Sequence, residues 1–209
     1  KYLYYIGWNV KVSVPYHLSI GLAISEDDGR SFHKVSEGPL LDRSIDEPFF
    51  NTAPCVLREE DAWRMWYVSC TGWEMVAERP EPRYLVRYAE STDGIRWEKT
   101  SQPCIDYSGA TDAIGRPCVY KEDGRYKMLY SYRDVWNYRS DRAQSYRLAY
   151  AESADAITWT RGEAGIERSE SGWDAEMMEY CYVYRYQDRS YLFYNGNGFG
   201  KTGIGYAVR

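Results

Sequence analysis

Acidic side chains set among apolar ones occur at two points in this 209-residue sequence, and they are where acid–base chemistry would be built. In Trp173-Asp174-Ala175-Glu176-Met177-Met178-Glu179, two glutamates sit beside methionines and a tryptophan. A carboxyl in such surroundings loses hydration of its charged form, so its pKa rises and it can hold a proton for donation near neutral pH. In Ala110-Thr111-Asp112-Ala113-Ile114-Gly115-Arg116, an aspartate precedes an arginine. Asp46 and Glu47 form a further acidic pair. Each of these carboxylates also reads as a solvated loop residue or an arginine partner.

His17 and His33 are the two histidines, and their isolation makes no metal site. His17, in Val14-Pro15-Tyr16-His17, suits a sugar hydroxyl. Asn195-Gly196-Asn197-Gly198-Phe199-Gly200-Lys201 is glycine-rich but lacks the G-x-x-x-x-G-K-[ST] pattern. It reads as a loop over a binding face, with Asn197 as a substrate contact. No motif calls for a cofactor.

The elements that position these residues repeat. Cys55, Cys118 and Cys181 are spaced by 63 residues each time (55 to 118, 118 to 181). Each is followed by an aromatic run: Trp63-Arg64-Met65-Trp66-Tyr67, Tyr126-Lys127-Met128-Leu129-Tyr130 and Tyr191-Leu192-Phe193-Tyr194. A third run follows in each copy, as in Tyr88-Ala89-Glu90-Ser91 and Tyr150-Ala151-Glu152-Ser153. Repeats of short strands at this period predict an all-β propeller of four-stranded antiparallel blades. The expected units are about 1–40, 41–102, 103–164 and 165–209 of a single incomplete domain, about three and a half blades.

Aligning the cysteines places Ala53, Arg116 and Glu179 at one register at the mouths of the inner strands. The loops into those strands, together with 8–17, 71–83, 133–145 and 196–202, gather on one face. Long loops on a rigid scaffold are where sites are built. Trp8, His17 and Trp73 are expected at the rim. On the other face, Ser25-Glu26-Asp27-Asp28-Gly29-Arg30-Ser31-Phe32 fits an Asp box, and the turns at Asp93 and Asp155 are shortened relatives. These read as structural turns whose aspartates accept backbone N–H bonds.

Composition sets further bounds. The chain holds 22 Tyr and 8 Trp, residues that suit sheets and also stack on sugar rings. A net charge of −5 with no basic run gives no footprint for nucleic acid. No apolar stretch approaches the ~20 residues of a membrane span. Lys1–Tyr5 reads as a strand rather than a signal peptide. Three of the 5 cysteines read as small buried hydrophobes, which points to a reducing compartment and a cytoplasmic location.

The strand patterns and the Asp-Gly-Ile-Arg-Trp turn (Asp93–Trp97) resemble the five-bladed propeller glycoside hydrolases, a superfamily of invertases, arabinanases, xylosidases and mannoside phosphorylases. The resemblance runs over the whole chain. It implies a carbohydrate partner and three acids facing a central funnel: an aspartate as base or nucleophile, an aspartate that orients, and a glutamate as proton donor. Glu176 is the best match to the donor, with Glu179 next. Asp112 with Arg116 resembles the neighbourhood of the second acid with altered order, and the first acid has no match. Arg116, His17, Trp8, Trp73 and Asn197 are the implied sugar contacts. The other readings are a non-catalytic glycan-binding or interaction propeller and a sialidase-like one, which needs an arginine triad that the sequence does not offer. The chain begins on a strand of the second type and ends on one of the third, so an N-terminal truncation and self-association through open edges are expected.

Overall fold

The computed structural model describes residues 1–109 and 112–209; Ala110 and Thr111 of the Asp112 segment lie outside the described residues. Among the described residues, the strands form four antiparallel sheets in which sheet order follows chain order. The first sheet holds β1 (Tyr2–Val10), β2 (Tyr16–Ile24) and β3 (His33–Lys34). The second holds β4 (Asn51–Arg58), β5 (Trp63–Val76), β6 (Arg79–Ser91) and β7 (Glu98–Lys99). The third holds β8 (Asp112–Glu122), β9 (Arg125–Asp134), β10 (Arg147–Ser153) and β11 (Thr160–Gly162). The fourth holds β12 (Glu179–Tyr186), β13 (Arg189–Asn195) and β14 (Ile204–Val208). The architecture is the predicted all-β propeller.

The aromatic runs form the second strands, and those of the second and third sheets bury most of their residues between sheets. Trp66 is fully buried, with Tyr88, Tyr126 and Trp159 at centroid distances of 5.6, 5.8 and 6.1 Å. Its indole Nε1 donates to the Ala156 carbonyl at 2.9 Å, joining the second sheet to a turn of the third.

The inner strands touch through sulfur. Cys55 Sγ accepts the Val119 N–H at 3.2 Å, and Cys118 Sγ accepts the Val183 N–H at 3.2 Å. This corrects the cysteine alignment by one residue. Val183 follows Tyr182, so Tyr182 is the counterpart of Cys118, and Cys181 fills the position of Pro54 and Pro117. All five cysteines are free.

Each inner strand carries the same irregularity: its ladder shifts between Thr52 and Cys55, between Gly115 and Cys118, and between Glu179 and Tyr182. Ala53, Arg116 and Tyr180 adopt left-handed backbone there, with φ of 47°, 51° and 53°. Such bulges re-aim side chains at barrel rims and active sites.

Segment 71–83 is not the expected loop. β5 and β6 continue as a hairpin whose tip, Ala77-Glu78, has two positive φ angles (46° and 65°). Two left-handed residues at the tip match the twist of the flanking strands. The opposite face has the expected turns. Asp27 accepts the Arg30 and Ser31 N–H groups at 3.0 and 2.9 Å and the Ser31 hydroxyl at 2.6 Å. Asp93 and Asp155 each accept two N–H groups in the same way. Trp97 and Trp159 pack inward, whereas Phe32 stays exposed. The fourth sheet leaves Tyr182, Tyr184, Tyr186, Ile204 and Tyr206 exposed.

Trp66 therefore fixes the joint between the two complete sheets. Trp66→Ala is expected to lower unfolding free energy by about 3–5 kcal/mol, and Trp66→Phe, which loses the indole bond but keeps most of the volume, by less than half of that. Urea denaturation followed by circular dichroism checks both values.

Candidate active site

Glu179 opens β12 and pairs with Asn195 of β13, directly before the left-handed Tyr180. Its position is set from the preceding loop. Trp173 stacks on Tyr194 at 5.2 Å and lies flat on two glycines. A Cβ on Gly196 or Gly205 would come within 2.4 Å of its ring. Asn197 locks the same loop: Oδ1 accepts the Glu176 and Met177 N–H groups at 2.7 and 3.0 Å, and Nδ2 donates to the Gly172 carbonyl at 2.9 Å. Asn197 is thus a clamp on the site loop rather than a free sugar contact.

The result is a buried carboxyl without a hydrogen bond. Glu179 is 0% exposed, and neither Oε1 nor Oε2 has a partner. Burial pushes its pKa up to about 8; the attraction of Arg133 and Arg139 opposes the shift without cancelling it. At pH 7 the group is mainly a neutral carboxylic acid.

Arg133, at the end of β9, is a second buried ionisable group of the site. Nε donates to Tyr84 Oη at 3.1 Å and Tyr146 Oη at 3.0 Å, Nη2 to the Pro82 carbonyl at 3.1 Å, and Nη1 to the Asp134 carbonyl at 3.2 Å. Tyr84 and Tyr146 also bond each other at 2.7 Å. The guanidinium lies 3.9 Å from the Tyr138 ring centroid. Tyr138 and Arg139 hold the buried Glu81 at 2.8 and 2.9 Å. Gly115 admits Tyr84, since a Cβ there would stand 3.0 Å from its ring.

Arg116 reaches this group through Tyr180, its guanidinium 6.0 Å from the ring centroid. The register correction explains this pairing: Arg116 and Tyr180, not Arg116 and Glu179, occupy equivalent bulge positions. Tyr16 links the centre to the rim, with Trp8 at 4.7 Å and Trp73 at 5.2 Å between centroids. Trp8 and Trp73 therefore share Tyr16 as a neighbour. His17 faces a cleft of about 390 Å³ shared with Trp73 and Phe50, and its Nε2 lies 2.7 Å from Asp42 Oδ1.

Two expected acids lie elsewhere. Glu176 is exposed, and its main chain rather than its carboxylate makes the hydrogen bonds that hold it. Met177 and Met178 are both buried while Glu176 between Ala175 and Met177 is exposed; the acid with the raised pKa is Glu179. Asp112 lines a separate cleft. Burial acts to raise its pKa, but the Ser108 hydroxyl and the Ser108 and Gly109 N–H groups, at 2.6, 2.9 and 2.7 Å, prevail and hold it below the usual carboxylate range. Of the other acids, Glu47 is buried as a structural ion pair with Arg87 and Lys99. Arg133 and Glu81 had no sequence signal beyond their place in the expected loops 133–145 and 71–83, and Tyr84 and Tyr146, one residue past those loops, had none.

A group whose folded pKa stands above its unfolded value of 4.5 binds a proton more tightly when folded. Between that value and about 8 the unfolded chain holds fewer protons at Glu179, so this residue's contribution to stability falls as pH rises. Glu179→Gln is expected to flatten that slope and to raise stability at pH 8 by a few kcal/mol relative to wild type. Unfolding curves between pH 5 and pH 8.5 check the sign.

No protein-family model matches the chain. Two uncharacterized proteins of Mycobacterium tuberculosis, from strains CDC 1551 / Oshkosh and H37Rv, are each 37% identical over 212 residues, spanning 100% of this chain and 67% of theirs. Among solved structures, a complex of BT0996 with RGII aligns with a TM-score of 0.77 at 20% identity, over 99% of this chain and 62% of its own. A thermostable family-43 glycoside hydrolase gives 0.69 at 16% identity, over 99% and 66%. The Bombyx mori GH32 beta-fructofuranosidase BmSUC1 gives 0.66 at 17% identity, over 100% and 44%. The fold is that of the five-bladed propeller glycoside hydrolases, and the chain spans less than two thirds of the first of these structures.

Proposed function

We propose that this chain, which belongs to the family of the two Mycobacterium tuberculosis proteins, binds a carbohydrate at the tyrosine-lined funnel and that Glu179 is the proton donor for glycosidic bond cleavage. The observation that carries this reading is the buried, unpartnered Glu179 carboxyl with its pKa near 8. A neutral acid at pH 7 can protonate a leaving-group oxygen. The surrounding hydroxyls of Tyr84 and Tyr146, and the faces of Tyr180, Tyr16 and Trp73, suit a sugar's hydroxyls and C–H faces. The fold supports the same class, as does the BT0996 structure, which is a complex with RGII.

Arg133 holds the site's polarity. It is charged, buried and bonded to tyrosine hydroxyls and carbonyls, so a developing negative charge on Glu179 after proton transfer has a fixed cation nearby. Arg116 remains a proposed contact at the funnel mouth, and Asp112, in its separate cleft, is assigned no catalytic part here. His17, paired with Asp42, would orient a sugar hydroxyl in the aromatic cleft.

The alternative is glycan binding without cleavage. It is favoured by Glu81, the other buried acid beside Arg133 and Arg139, whose two oxygens are both engaged. Asp174, buried in the site loop, keeps one oxygen unbonded while the other accepts the Tyr194 hydroxyl at 3.0 Å.

The test uses the chain and a full-length relative against a panel of aryl glycosides and oligosaccharides. Hydrolysis is expected to fall roughly 10²–10⁴-fold in Glu179→Gln with binding retained, and to decline above about pH 8 as Glu179 ionises. A Glu179→Gln rate equal to wild type removes the donor role. Glycan binding with no cleavage in either protein establishes the alternative.

A further inference from the structure

A cleft of about 990 Å³ lies apart from Glu179, between β9, β10 and segment 161–170. Four arginines line it: Arg142, Arg147, Arg161 and Arg168. Among the described residues, none of the four is within salt-bridge distance of a carboxylate; the paired arginines are others. Three of the four bond to main-chain carbonyls instead. Arg142 donates to Ser169 and Glu170 at 2.8 and 3.0 Å, Arg161 to Asp106, and Arg168 to Arg142 and Glu176. Arg147 stacks over Tyr132 at 4.8 Å, and its Nε is out of contact with solvent and has no partner.

Acids also line the cleft, but they are turned to other tasks. Asp112 is held by Ser108 and Gly109. Glu163, Glu167 and Glu170 are exposed and reach none of the arginines. The arginine cluster is only partly compensated: Arg161 helps to hold the Asp112 carboxyl charged and Asp141 acts on Arg168, but burial and the neighbouring charges of Arg147 and Arg142 prevail and lower the pKa of Arg168. Gathering guanidiniums without full counter-charge is unfavourable unless an anion joins them, and their planar forks match carboxylate and phosphate oxygens.

We propose that this cleft binds a sugar bearing an oxyanion, its carboxylate or phosphate gripped by Arg147 and Arg168 and its body laid against Tyr132 and Tyr150. A volume near 990 Å³ suits a ligand of one to a few rings. The site is separate from Glu179 and stands whether or not that residue donates a proton. It touches the site loop through Met178, which lines the cleft, and through the Glu176 carbonyl bonded by Arg168.

Titration calorimetry of the 209-residue chain with glucuronate, glucose 6-phosphate, inorganic phosphate and glucose tests this. The expected result is saturable binding of at least one sugar anion, weakened by added salt, with glucose inert. Whichever of glucuronate and glucose 6-phosphate binds tighter identifies the source of the oxyanion. Arg147→Gln/Arg168→Gln is expected to weaken binding by roughly tenfold or more, and Arg168→Gln alone by less. The single variant serves if the double one does not fold. No binding of any anion at about 10 mM, weaker than specific recognition, overturns the proposal. So does equal binding of glucose, or unchanged affinity in a folded variant.

Discussion

The left-handed bulge at the mouth of each inner strand is the constraint on which the site depends. Ala53, Arg116 and Tyr180 carry side chains and still adopt positive φ, a conformation that costs of order 1–3 kcal/mol for such residues. Pro54 and Pro117 follow two of them, although proline normally drives the preceding residue to extended backbone. The repeat of this conformation in three sheets shows that the ring imposes it. Its effect is to break the inside–outside alternation of the strand, so the residue before the bulge and the residue within it both face the crowded mouth. Glu179 and Tyr180 are adjacent in sequence for that reason, and Glu179 is shut in while Tyr180 meets Arg116.

Two buried ionisable groups of the funnel illustrate how burial and pairing separate. Arg133 has each of its nitrogens bonded, to hydroxyls and carbonyls, and tyrosine faces around it. A charge solvated in this way by protein dipoles does not require a carboxylate contact. Glu179 has no such solvation, and desolvation outweighs the attraction of Arg133 and Arg139. One partner of a potential ion pair thus stays charged and the other neutral. A direct Arg133–Glu179 bond would instead pull the carboxyl pKa down and abolish a proton donor at neutral pH.

The strands are legible in the sequence because aromatic residues recur where blades pack, and the Asp-Gly turns because their chemistry is local. The register of the fourth sheet is not. Cysteine marks position in the sequence, but what the three sheets share is the bulge, and Cys181 replaces a proline there. That one-residue slip places Glu179 beside Arg116 instead of beside Arg133. Glu176 is favoured by its apolar neighbours, yet those neighbours take the inward positions themselves. Arg133 gives no sign, since its partners come from β6, β9 and the segment before β10. Such a cluster exists only after sheets from distant parts of the chain have packed. The extended β5–β6 hairpin escapes notice because its tip, Ala77-Glu78, lacks the Asn-Gly or Asp-Gly pair that announces such turns.

The turn aspartates and Glu179 differ in how fully their oxygens are satisfied. On the face of short turns, Asp27, Asp93 and Asp155 each accept several N–H or hydroxyl bonds, and hydrogen bonds to the charged form hold all three below the usual carboxylate range. These acids are consumed in shaping the backbone and have no capacity left for a ligand. Across the blades, Glu179 keeps both oxygens free, and Arg147 keeps a buried Nε without a partner. Folding leaves an uncompensated polar group only where the surrounding structure holds it there against its cost. Other buried atoms without a hydrogen bond, such as Trp97 Nε1 and Ser69 Oγ, have no ligand-sized space assigned to them, whereas a ligand that supplied the missing bonds to Glu179 or Arg147 would recover part of that cost on binding.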